Sequence, residues 1–465
     1  MARTARVLNY IWLALVLLAV AIGGWNDRFK DVTEGTLDGA KTAVTIALGL
    51  IGIMALWLGL MRLAERAGLV QRIARGLRPV MRRLFPDVPP EHPAMGSMVM
   101  NMAANMLGLG NAATPLGLRA MRDLESLNPR PGVATNAMCT FLAINTSSVQ
   151  LIPATAIAIL AASGSTRPTA IVGTALLATL CAAGVAIVSV KLFEKLPIFR
   201  ISPLDQRTTI EQNFEKAEIK EDAGVSQAGV TNPAYSSSVA LQEPPRRLSV
   251  LGLIALSALI ILFIALFVRM VAPTVFGIAM APAAAAQNVF VRSVNALSIL
   301  AIPFLLSFFP LYAAGRGVKV YDEFVEGAKE GFGVILKIIP FLVTMLVAIG
   351  MFKGAGGIDL LSRLLAPILT PLQFPTDLLP LVLMRPLSGS ATLALLTDIV
   401  HRLGPDNIVS LTAATIYGST ETTFYVAAVY FGAVGIKQTR HGIPAGLLAD
   451  LTGVVASVII CRAVL

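Results

Sequence analysis

Two polar runs interrupt otherwise apolar stretches of this sequence, Asn145-Thr146-Ser147-Ser148 and Ser419-Thr420-Glu421-Thr422-Thr423. Polar side chains inside hydrocarbon are costly and tend to mark function. Hydroxyls and amides at such a break satisfy an unwound backbone, and they also coordinate a cation or hydrogen-bond a small polar solute. Freed carbonyls suit Na⁺, whereas a half-helix N-terminus suits an anionic group. Glu421, read as the acid deep in an apolar span, is the sharpest candidate. It could carry a proton, ligate a cation or accept hydrogen bonds from a solute; the alternative is a structural pair with Arg385. Asn145, Ser148 and Glu421 form the candidate cation-coupling set, and Thr146, Ser147, Arg385, Ser419, Thr420 and Thr422 join Asn145 and Glu421 as candidate solute ligands. Asn111 and Thr114 near one turn, and Ser388, Ser390 and Thr392 near another, supply a matching polar surface. Asn101 and Asn105, four apart on one helical face, serve either that surface or hydrogen bonds between helices.

Other chemistries find no support. There is no P-loop, no HExxH and no dinucleotide fingerprint, because Gly108-x-Gly110 lacks the third glycine. Cys139, Cys181 and Cys461 lie in apolar spans without CxxC spacing, so no disulfide framework is expected. His92, His401 and His441 are scattered near span ends, and Met95, Met98, Met100, Met102 and Met106 read as packing, not as copper ligands. No resident cofactor, no metal site and no enzymatic activity are expected.

The elements that hold these residues must be membrane helices. Charged residues make up 14% of the 465-residue chain, against about 25% in soluble proteins. The net charge of +10 sits in loops between spans, which points to membrane orientation and not to nucleic acid. Apolar runs cover 7–22, 42–62, 94–112, 133–162, 168–193, 248–272, 290–314, 331–352, 377–397, 407–433 and 442–464. Arg3 and Arg6 before the first run, with Ala19-Val20-Ala21, resemble a cleavable signal, but the match of that run to 295–314 favours retention.

The loop from Arg62 to Glu91 carries Arg62, Arg66, Arg72, Arg75, Arg78, Arg82 and Arg83 and must be cytoplasmic. A full crossing at 94–112 would leave Arg119, Arg122 and Arg130 outside. A re-entrant hairpin over 94–126, turning at Gly108-Leu109-Gly110-Asn111, removes the conflict. Its counterpart is 377–403, turning near Ser388-Gly389-Ser390. The order of parts is repeated: Gly39-Ala40-Lys41 and Gly327-Ala328-Lys329 each open a span that leads to an amphipathic surface segment (68–84; 358–370), a hairpin and a polar-broken span.

The expected fold is therefore an all-α polytopic membrane protein of two inverted repeats, with about nine crossings and two hairpins. Repeat one spans 1–196; a flexible cytoplasmic linker spans 197–247; a connecting helix at 248–272 turns over repeat two, 273–465. The alternative is eleven crossings with parallel halves. Inverted repeats with broken spans place a site between the halves.

Asn111-Ala-Ala-Thr-Pro-Leu-Gly-Leu-Arg-Ala-Met with Asn128-Pro129 resembles the spore maturation protein A family, and Arg385-Pro-Leu-Ser-Gly-Ser with Tyr417-Gly-Ser-Thr-Glu-Thr-Thr-Phe-Tyr resembles spore maturation protein B. The chain looks like a fusion of the two, over nearly everything except 197–247. Both belong to the nucleoside-recognition, or Gate, group, which is similar to the core of concentrative nucleoside transporters and to the membrane part of ferrous-iron transporter B. The resemblance implies a secondary transporter of a small polar, nucleoside-like solute coupled to Na⁺ or H⁺, in the lipid bilayer of a bacterial cytoplasmic (inner) membrane; the arginine count and the span parity put the N-terminus and linker on the cytoplasmic side. It implies a homo-oligomer by analogy with the nucleoside transporters. The alternatives are a non-transporting factor for spore or envelope maturation and an ion pathway.

Overall fold

The computed structural model describes residues 2–108, 110–199, 248–280, 282–285, 287–357 and 374–465, with 360, 363, 364 and 367 between the last two segments. The first part of the chain forms α1 (Ala2–Trp25), α2 (Phe29–Arg66), α3 (Leu69–Leu84), α4 (Pro93–Met106), α5 (Gly110–Glu125), α6 (Asn136–Ser147), α7 (Ala154–Ala162) and α8 (Ile171–Phe193). The second part forms α9 (Val250–Val271), α10 (Val289–Gly315), α11 (Val320–Gly354), α12 (Leu379–Met384), α13 (Gly389–Leu403), α14 (Ile408–Ser419), α15 (Thr423–Gly432) and α16 (Gly442–Val464). Among the described residues, extended pairing is limited to one bridge between Val133 and Gln438. Among the described residues five helices, α2, α8, α9, α10 and α16, are long and apolar enough to cross a membrane. The expected linker lies outside the described residues from 200 to 247, and so does most of the expected surface segment 358–370. The other surface segment is α3, whose Arg75, Arg78, Arg82 and Arg83 line its outer side.

The segments read as hairpins and breaks form short helices. α4 has 14 residues and α5 16, about 21 and 24 Å at 1.5 Å per residue, short of the ~30 Å hydrocarbon core. Within the run 133–162, α6 stops at Ser148, whose left-handed backbone (φ 31) is unusual outside glycine. Pro153, which has no N–H to offer, precedes α7. In the second half, Thr420 and Thr422 are extended and separate α14 from α15. Side-chain caps fix several helix starts: Thr135 for α6, Ser388 for α13 and Asn407 for α14 each accept a backbone N–H of the first turn.

α2 and α11 pack against one another along most of their length, in opposite directions. Built Cβ atoms show how little lies between them: Gly35 meets the Gly350 carbonyl, Gly39 that of Leu346, Gly327 that of Leu58, Gly331 the backbone of Met54 and Ala55, and Gly354 that of Asp31. The register is constant, each step forward in α2 matched by a step back in α11. Absent side chains let the backbones approach, as small residues do between membrane helices. At one end, Arg62 and Arg66 donate to the Glu323 carboxylate at 2.8 and 3.0 Å; beyond the other, Asn26 Nδ2 donates to Ala355 O at 3.0 Å.

Loops gather in two further places. Arg440 donates to Ala134 O and Asn136 Oδ1 at 3.0 and 2.8 Å, and to Phe199 O at 2.9 Å, so the segments before α6, after α8 and before α16 meet. Elsewhere Asp406 accepts from Ser165 Oγ at 2.5 Å and Thr166 N at 3.0 Å, joining the loops after α7 and after α13. These donors hold the Asp406 carboxyl down at about 2.

Candidate functional site

The two helix breaks touch. Glu421 N–H, in the break between α14 and α15, donates to Thr146 O at the end of α6, at 2.7 Å. The end of α4 and the turn after α12 are each tied to the break of their own half: Leu151 N–H donates to Met106 O at the end of α4, and Phe424 N–H donates to Pro386 O beyond α12, both at 3.0 Å. Four interruptions of regular helix therefore lie side by side, and their freed backbone groups satisfy one another. Thr179 Oγ1 of α8 adds to this, donating to Ser147 O and Ser148 O at 3.0 and 2.9 Å.

Side chains of the second break fan out to different neighbours. Glu421 Oε1 accepts from Gln150 Nε2 at 3.2 Å. Thr422 Oγ1 accepts from Arg385 at 3.3 Å, and Thr423 Oγ1 donates to Asp450 Oδ2 of α16 at 2.6 Å. Thr420 Oγ1 is buried without a partner. The expected alternative, a pair between Arg385 and Glu421, is not formed as an ion pair among the described residues. Arg385, 3% exposed, lies 5.1 Å over the Tyr417 ring and donates to Tyr417 O at 2.9 Å. Stacking and the carbonyl fix the planar guanidinium on Tyr417. Gln150, Arg385, Tyr417 and Glu421, with Pro153 and Gly389, line a cavity of ≈ 90 Å³. This is well below the ~300 Å³ at which pockets for drug-sized ligands begin.

A second polar cluster is built from the first half. Asn145 Oδ1 accepts from Asn105 Nδ2 at 2.8 Å and from the Tyr430 hydroxyl at 3.3 Å. Asn101 Nδ2 donates to Ala113 O at 2.8 Å and reaches Tyr430 at 3.3 Å. Asn101 and Asn105 thus join helices, the plainer of the two expectations, although Asn101 Oδ1 stays buried and unpartnered. Gly117 makes room for this contact, since a Cβ there would strike the Tyr430 hydroxyl.

Of the remaining candidates, several hydroxyls are used locally. Thr146, Ser147 and Ser419 bond carbonyls of their own helices, and Ser388 caps α13 while its carbonyl accepts from Thr392. Ser148 Oγ is buried and unpartnered. Ser390 and Thr114 are half-buried on α13 and α5; the Asn111 side chain lies outside the described residues. Sequence reasoning treated Glu421 as the acid deep in a span and passed over Asp450, which sits within 442–464 and is only 3% exposed. An acid among apolar neighbours was the available signal. Gln150, Tyr417 and Tyr430 had none, since one polar or aromatic residue near a span is ordinary.

Residues 47–163 and 335–437 match the family described as Gate, nucleoside recognition. These segments contain both breaks and the ends of α4 and α12, but not α16. The chain is 47% identical over 174 residues to spore maturation protein A of Bacillus subtilis (strain 168), covering 37% of this chain and 89% of that protein. It is 46% identical over 167 residues to spore maturation protein B of the same organism, covering 36% of this chain and 94% of that protein. With the family's segments in both halves and two such relatives matched over nearly their whole length, the chain belongs to the Gate (nucleoside recognition) family of membrane proteins that includes spore maturation proteins A and B.

Proposed function

We propose that this protein is a secondary transporter of a small polar, nucleoside-like solute, coupled to Na⁺ or H⁺, with its site between the two helix breaks. The observation that carries this reading is the hydrogen bond from Glu421 N–H to Thr146 O, which brings the polar interruption of one half onto that of the other beside a cavity lined by charged and amide side chains. Transporters with inverted repeats place their sites at such discontinuous helices. The halves are inverted, with nine crossings and two re-entrant hairpins. The antiparallel register of α2 and α11 supports this, as do the loop contacts: Arg62 with Glu323, Arg440 with Ala134 and Phe199, and Asp406 with Ser165 each join segments that this topology puts on one side. Eleven crossings would separate all three sets across the bilayer. The arginine-rich loop after α2 then faces the cytoplasm, with the N-terminus and the linker, in a bacterial cytoplasmic membrane.

The cavity admits a cation or a few waters, so a nucleoside-sized solute requires the hairpin tips to part from the breaks. The test is flux in proteoliposomes across a panel of nucleosides, with Na⁺ or pH gradients, for wild type and Glu421→Gln. Gradient-driven flux that falls at least tenfold in the variant is expected. The names of both relatives favour a second reading, a non-transporting factor in spore or envelope maturation. Folded wild-type protein without flux for any solute would select it.

A further inference from the structure

We propose that Asp450 carries a proton, shared between its Oδ1 and the hydroxyl of Thr420, and that this proton controls the break between α14 and α15. Asp450 lies outside the segments matched to the family, whereas Thr420 and Thr423 lie within one of them. α16 turns Gly446, Asp450 and Gly453 toward the break, positions that share one helical face. A Cβ on Gly446 would meet Thr423 Cγ2 at 2.9 Å, and one on Gly453 would meet Thr420 Cγ2 at 2.6 Å. The two threonines are thus seated one turn to either side of the carboxyl, where bare glycines admit them.

The hydrogen-bond inventory of this site is incomplete in a specific way. Asp450 and Thr420 are each 3% exposed. Thr423 Oγ1 donates to Asp450 Oδ2 at 2.6 Å. Thr420 faces the same carboxyl, yet Asp450 Oδ1 and Thr420 Oγ1 are both buried with no partner. An ionised carboxylate only accepts, which leaves Oδ1 bare inside the membrane. A proton on Oδ1 makes it a donor, and the Thr420 oxygen is the acceptor beside it. One proton therefore satisfies two orphaned atoms. A hard metal ion fits less well, since it takes about six oxygens and two are open here.

Charge balance agrees. The charged groups acting on Asp450 are Arg385 and, more weakly, Glu421, of opposite sign. The other packed elements present Leu142 and Thr146 of α6, Ala182 of α8 and Ser419 of α14 to the glycines of α16, and these are uncharged. With a neutral Asp450 this set of three carries no net charge. When the O–H bond at Oδ1 breaks and the proton passes to water, the set becomes anionic and Thr420 loses its donor. Thr420 and Thr423 flank Glu421, so the change acts directly on the segment that lines the cavity.

The proton's use as the coupling ion rests on the transport reading above; its presence does not. Infrared difference spectra of the full chain in lipid vesicles, between acidic and alkaline buffers in H₂O and D₂O, test it. Wild type should show a protonated-carboxyl C=O band that shifts in D₂O, is lost in Asp450→Asn and is kept in Glu421→Gln. Thr420→Val, which keeps the carboxyl, should move the band to higher frequency. Absence of the band from wild type, its survival in Asp450→Asn, or an unmoved band in Thr420→Val overturns the proposal. Missing flux in every vesicle assay would remove the transport reading and leave the spectra unaffected.

Discussion

Replacing Gly327 by alanine forces a methyl group into the seam between α2 and α11. Its Cβ would lie 2.6 Å from Leu58 O, 2.8 Å from Arg62 Cβ and 2.9 Å from Gly59 Cα. Ordinary contact begins at 3.4 Å, so the helices must part by roughly 0.8 Å there, and close-packed neighbours resist that. None of the three atoms is the far end of a flexible side chain. Overpacking of this kind costs about 1–3 kcal/mol, offset by up to ~1 kcal/mol of helix propensity. The net expectation is a loss of roughly 1–2 kcal/mol. Gly333 lies on the same helix and meets nothing within 4 Å, so Gly333→Ala gains up to ~1 kcal/mol. The propensity gain is common to both, so the two variants should differ by the overpacking cost, about 1–3 kcal/mol, with opposite signs. Thermal or denaturant unfolding of both in one detergent measures the difference directly. Equal stability of the two variants, or a Gly327→Ala protein more stable than wild type, would refute the packing of the seam.

His441, buried at the start of α16, has its imidazole pushed down to about 4 by burial, with Arg440 and Lys191 adding to it. Between pH 6.5 and 4 the unfolded chain takes up a proton that the folded one refuses. Stability should fall across that window by at most roughly 3 kcal/mol and level off below it; His441→Asn should flatten the fall, as read from Tm against pH. For topology, a cysteine at Thr166 should react with a membrane-impermeant thiol reagent added outside intact cells, and one at Gln438 only after permeabilisation. Identical labelling of both positions would sink the inverted arrangement.

The breaks were legible because Asn145–Ser148 and Ser419–Thr423 place polar groups where apolar ones belong, and because Pro153 withholds a donor. The short helices α4 and α5 were legible from the arginines that flank them. The starts of α2 and α11 were not. Apolar runs put them at 42 and 331, yet the helices begin at Phe29 and Val320. The intervening turns carry polar residues and are held by glycine-mediated backbone contact, which leaves no hydrophobic signal. Asp450 was missed for a related reason. Its partners come from a break that only folding brings to α16, and a lone acid in a span does not announce them. Likewise opposite charge suggested Arg385 with Glu421, but the Tyr417 ring and carbonyl decide where the guanidinium points.

The seam of α2 and α11 is its own complement. Gly39 against Leu346 and Gly327 against Leu58 are one contact made twice, the geometry by which identical subunits close into an isologous pair. Such an interface owes nothing to the covalent link between the halves. Two half-chains of this protein, made separately, would carry matching strips and could find one another through them. The strip is also a shared constraint on sequence drift: a bulky residue accepted in one half lodges against the other, so its two copies can change only together.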